Sequence, residues 1–154
     1  MSLNKWLGEG RLRIHKSSAQ EVSELFRVVD RDIDDAHIRK LSADRRFTTS
    51  YNAALQLATI ALRVSGYRSS GAGHHWVTFQ MLPTIMGSEE QNRADYFDAC
   101  RRKRNTADYD TAGEISDSEA AELYAEVLSF RHCVLNWMRR NYLELLSDEI
   151  TDRV

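Results

Sequence analysis

The chain has 154 residues, 42% hydrophobic and 29% charged, with 7 Gly and 1 Pro, the size of one domain able to bury a core without disulfides or a structural metal. So few breakers exclude the many turns of an all-β sandwich or barrel, and the composition points to helices. A formal charge of −2, from 21 basic and 23 acidic side chains, excludes a global positive field for nucleic acid or an anionic membrane and leaves local patches only.

Residues 1–16 carry no apolar run of signal-peptide length, and the first three read as an expression scar. The expectation is one domain over 1–154, its core at about 17–146. Ser18 with Glu21 is a capping-box pattern, followed by Val22, Leu25, Phe26, Val29 and Ile33 at helical spacing. Asp44 opens a second helix whose wide, Ala-rich stripe (Tyr51, Ala54, Leu55, Ala58, Ala61, Leu62) predicts a central position and a stop at Gly66. Gln56 and Thr59 interrupt the longest apolar segments of the chain, so no membrane span is expected.

Residues 67–73 read as a Gly/Ser loop and 74–82 as a short helix that buries Trp76 or Phe79, and Leu82, before Pro83 ends or kinks it. Gly87-Ser88 with Gln91 starts a further helix in which Tyr96, Phe97 and Cys100 share a side and residues 101–104 form a basic end. Residues 105–113 read as a polar turn. Ser116 with Glu119 then caps a last long helix through Ala120, Leu123, Tyr124, Val127, Leu128, Val134, Leu135 and Met138. The fold class is all-α, an up-and-down four-helix-type bundle with an additional short helix.

The chemistry is sparse. Asp30, Asp32 and Asp34 imitate the opening of a calcium loop, but Asp35 and Leu41 stand where Gly and Glu are required, so the three read as a solvated face. Gly71 and Gly73 lack the third Gly and the preceding strand of a dinucleotide fingerprint. Adjacent His74 and His75 diverge by about 100° on a helix, which predicts helix capping and one half-buried imidazole instead of a metal site. Cys100 and Cys133, with no CxxC spacing, read as two buried thiols in a reducing cytosol. The run Arg101, Arg102, Lys103, Arg104 complements a helix dipole, or, beside Tyr96 and Tyr109, can contact phosphate and base.

Taken together, the Ala-rich helix ending in Gly66-Tyr67-Arg68, the short helix opened by Gly73-His74-His75, Arg102-Lys103-Arg104-Asn105 with Tyr109 beyond it, and the long final helix resemble the HEPN domains. That pattern spans about residues 19–146. The family signature is an Arg, a polar residue, and a His four to six residues after the Arg, two copies commonly meeting across a dimer cleft. In ribonuclease members, the resemblance implies, Arg steadies the phosphate and His handles the 2′-hydroxyl proton. Arg104 and Asn105 fit, but Tyr109 stands where His belongs, and a phenol near pH 10 is a poor base at neutral pH. Arg31 to His37 and Arg68 to His74 satisfy the same spacing elsewhere in the chain.

The resemblance therefore implies a non-catalytic, cytoplasmic HEPN-like bundle, a homodimer that binds RNA, a nucleotide or a partner protein in a toxin-antitoxin or defence setting. Its ligand-binding residues would be Arg101, Arg104, Asn105, Tyr109 and His74, with no metal or cofactor. Arg104, Asn105 and Tyr109 are the candidates should it be a metal-independent endoribonuclease. The remaining alternative is a protein-docking module. A partner nucleotidyltransferase could modify Tyr109, as such enzymes do to a motif tyrosine in some pairs of the family.

Overall fold

A computed structural model describes residues 3–109 and 114–153, with the side chains of 106–109 outside the description. Ser18 accepts a hydrogen bond from the Glu21 amide and opens α2 (Ala19–Ala36), which follows a short α1 (Leu3–Gly8) and strand β1 (Leu12–Ile14). Ser42 opens α3 (Ala43–Val64) by accepting from the Arg45 amide. The cap is thus Ser42, and Asp44 lies inside the first turn, where its charge faces the positive end of the dipole. Gly66 closes α3 at φ +100°, a conformation that L side chains rarely adopt.

Helix α3 is central, packing against α2 and α7 (Asp117–Asn141) and touching α6 (Gln91–Tyr109). Ala53, Ala54, Ala58 and Ala61 are fully buried along it, so neighbouring helices approach closely. The capping box at the start of α7 is complete in both directions between Ser116 and Glu119. Helices α2, α3, α6 and α7 form the all-α bundle that the periodicity predicts.

Several local expectations need correction. Within 67–73, Tyr67–Ser69 is strand β2, paired antiparallel with β1 in the register Leu12↔Ser69, Arg13↔Arg68, Ile14↔Tyr67. Three-residue strands are too short for an alternating pattern to stand out. The buried set begins before residue 17, since Trp6 and Leu12 form a satellite cluster with Leu62, Val77 and Met81. The helix expected over 74–82 does break just before Pro83, but at Met81: α4 (His74–Gln80) ends there and α5 (Leu82–Met86) restarts with Pro83 in its first turn, where a missing N–H is harmless. Phe79 and Leu82 are buried while Trp76 is half-buried. After Gly87 a 3-10 turn (Ser88–Glu90) leads into α6 without a side-chain cap.

Helix α6 continues through Asn105 to Tyr109, so residues 101–104 lie inside the helix with more than a turn beyond them; 105–109 contain neither Gly nor Pro to stop it. Cys100 is buried, its thiol pushed up to about 11 by burial, but Cys133 is half-exposed on α7. The aspartates of α2 are not a uniformly solvated face. Asp32 is buried beside Arg31 and Asp30 is held by Arg131, whereas Asp34 is exposed, paired with Arg153.

Candidate functional site

Helices α4 and α6 each bring half of one open cleft of about 260 Å³. Gly73, His74, His75 and Trp76 line it from α4 and its cap; Arg101, Arg104 and Asn105 line it from α6. The spacing explains the α6 side: 101, 104 and 105 are three and four residues apart and share a helix face. Helix α4 is placed by its buried face, Val77, Thr78 and Phe79, with the Phe79 ring 5.6 Å from that of Phe97 on α6. The structure therefore gathers four of the five expected ligand-binding residues: Arg101, Arg104, Asn105 and His74. Tyr109 is the last residue of α6, and its side chain lies outside the described residues.

Beneath the cleft is Tyr51 of α3, fully buried. The Arg104 guanidinium carbon sits 5.2 Å from the Tyr51 ring centroid, a cation–π geometry that holds the planar group in place. Arg104 Nη1 also donates to Asn105 Oδ1 at 3.3 Å. The Tyr51 hydroxyl is 3.1 Å from His75 Nδ1. Burial raises the Tyr51 pKa above its ordinary value, so the phenol stays protonated; it donates to Nδ1 in the tautomer of the neutral imidazole whose proton is on the other ring nitrogen. Burial, followed by the charges of His74, Arg104 and Arg101, pushes the His75 pKa down to about 4, so this imidazole is neutral at pH 7.

His74 differs. It is exposed, its ring centroid is 4.3 Å from that of His75 with the planes at 78°, and it does not cap α4, whose N-cap is Gly73 at φ +74° with no side-chain bond. Of the expected pair of roles, the half-buried imidazole is His75, and helix capping by a histidine is not observed. Among the described residues no three His, Cys, Asp or Glu side chains gather as a metal-holding group.

The cations of 101–104 do not all serve the cleft. Asp98, buried on α6, accepts from Arg101 Nε at 2.8 Å and is also bound by Arg102, while Lys103 turns to Glu119 of α7. Arg101 thus faces the cleft partly neutralised. Of the decoy spacings, Arg31 pairs with Asp32 and His37 stacks on Tyr124, whereas Arg68 and His74 line a second compartment, of about 290 Å³, shared with Gln56, Thr59 and Arg63. Sequence reasoning missed Trp76 and His75 as wall residues and Tyr51 as their support. Their shared helix turn after Gly73 was the available signal for the first two; Tyr51 was indistinguishable from core.

A family model, that of the SAV_6107-like HEPN family, matches residues 38–135, which include α3, α4, the whole of α6 and most of α7. No curated protein matches significantly, and no solved structure does. No described helix is long and apolar enough to cross a membrane.

Proposed function

The chain belongs to the SAV_6107-like HEPN family, and from that premise we propose that it binds a phosphate-bearing nucleotide ligand in the cleft between α4 and α6. Arg104, with Arg101 behind it, takes the phosphate; the half-buried Trp76 ring offers a face for an unstacked base; Asn105 hydrogen-bonds polar edges. One observation carries the reading: a guanidinium fixed over Tyr51 opens into the same cleft as an indole and two imidazoles. Tyr109, four residues beyond Asn105 on the same helix, is kept among the proposed ligand-binding residues. A homodimer in which a second copy closes the open side is part of this proposal, and light scattering tests it.

A second reading, metal-independent RNA cleavage, is favoured by the exposed His74 beside Arg104. It supplies in space the imidazole that position 109 lacks. Docking of a protein through an apolar face has less support. The exposed large apolar side chains among the described residues, Ile14, Ile38 and Leu143, belong to a strand, a loop and a 3-10 turn.

The test is incubation of the purified protein with labelled RNA, reading both anisotropy and cleavage, beside Arg104→Ala, His74→Ala and Tyr109→Phe. Binding without cleavage, weakened at least about tenfold in Arg104→Ala, is the expected result. Cleavage lost in both Arg104→Ala and His74→Ala establishes the enzyme instead. Binding indifferent to Arg104→Ala overturns the site.

A further inference from the structure

The Arg104 cleft and the second compartment have His74 and His75 in common, so one side-chain ridge separates them. The second compartment is polar: Gln56 and Thr59 come from α3, Arg63 from its last turn, and Arg68 and Ser69 from β2. Two features at its edge are electrostatically unfavourable. Arg68 stands directly opposite Arg13 in the β1–β2 ladder, both exposed, and neither has a carboxylate partner among the described residues. Opposed side chains in such a pair lie about 5 Å apart at Cβ, and like charges there repel. Arg63 is the other feature. Its Nη1 donates to Glu21 at 2.8 Å, but its buried Nε has no hydrogen-bond partner among the described residues.

A phosphate placed between Arg13 and Arg68 would convert that repulsion into two charge-assisted contacts. Because Arg68 lines the second compartment, which shares His74 and His75 with the Arg104 cleft, we infer that the two compartments form one track for a single-stranded oligonucleotide, with Arg104 and Arg68, joined by Arg13 across the strand pair, holding different phosphates of the same strand. Resting on the proposed function, this specifies its ligand class: a strand longer than the first cleft accommodates, not a free mononucleotide. The ridge of His74 and His75 falls between the two phosphate positions.

Fluorescence anisotropy with labelled single-stranded oligoribonucleotides of increasing length, and competition by unlabelled AMP, tests the assignment. The wild-type protein is compared with Arg104→Ala, Arg13→Ala/Arg68→Ala and Arg13→Lys/Arg68→Lys. Affinity should rise with length up to the point where both compartments are filled. The double alanine variant should bind the long strand about tenfold more weakly, with its salt slope reduced by about 1 to 2 units. It should compete with AMP as the wild type does and melt no lower, since a repulsion has been removed. The double lysine variant should keep the salt slope. Length-independent affinity, or long-strand binding unchanged in the double alanine variant while Arg104→Ala loses it, overturns the track and leaves a mononucleotide cleft. No binding of any probe by the wild type overturns the proposed function and the track together.

Discussion

His75 shows how a single side chain records its surroundings. In the unfolded chain its imidazole titrates near pH 6.5, whereas in the fold burial and three neighbouring cationic groups bring it to about 4. The charged form is disfavoured in the fold, so His75 contributes stability that is fully present above about pH 6.5 and is lost as pH falls toward 4. Glu21 acts with the same sign: burial alone would raise its pKa, but hydrogen bonds from His15 and Arg63 and their charges outweigh that and hold it below its usual value. Asp32 acts oppositely, since burial raises its pKa and its protonation favours the fold. The three separate by substitution. His75→Asn, which keeps an acceptor near the Tyr51 hydroxyl, should lose less stability than the wild type between pH 7 and pH 4.5 in urea denaturation. Parallel curves for the two proteins would show that His75 does not titrate with folding.

Among the elements, α2 and α7 are fastened by a contact that periodicity cannot reveal. Arg131 interrupts the apolar face of α7 and is almost wholly buried, with 3% of its side chain exposed. Its Nε and Nη2 bind the two oxygens of Asp30 at 2.8 and 3.1 Å, its Nη1 donates to the Thr151 carbonyl at 2.8 Å, and its guanidinium lies over Phe26. Removing one partner of a buried pair costs about 3–5 kcal/mol. Because Arg153 also approaches Asp30, at 3.7 Å, Arg131→Ala should fall near the lower end, about 3 kcal/mol in chemical denaturation. A loss below about 1 kcal/mol would mean that the pair contributes nothing net. Here the limits of sequence are physical. Apolar spacing and the Ser18 and Ser116 caps located the long helices because each depends on residues within a turn or two. The same rule misread Asp30 as solvated, since its partner lies 101 residues away. It also missed β1 and β2, whose pairing joins residues 12–14 to 67–69. For the site, Arg101, Arg104, Asn105 and His74 were legible as residue types in a family-like order. Which of the four cations turns away, and that Trp76 and Tyr51 frame Arg104, depended on Asp98, Glu119 and the seating of α4.

At the scale of the whole molecule, the cleft rests on a part of the chain that the family match leaves out. Residues 38–135 include both cleft helices, but Trp6 and Leu12 lie before them and build the satellite cluster under α4 with Leu62, Val77 and Met81. Trp6 is 4% exposed, and its ring meets the Trp76 ring edge-on at 5.5 Å, while Arg11 lies over Trp76 at 5.9 Å. The N-terminal segment thereby fixes the indole that faces the cleft. Trp6→Ala removes a large buried ring, at a cost of about 3 kcal/mol or more. It should also weaken oligonucleotide binding, because Trp76 gains freedom that the ligand must then take away. Leu123→Ala, in the main core on α7, should cost comparable stability and leave affinity unchanged well below its melting temperature. If both variants melt early and both bind like the wild type, α1 serves folding alone. If only Trp6→Ala loses affinity, α1 supports the binding site even though it contributes no side chain to the cleft wall.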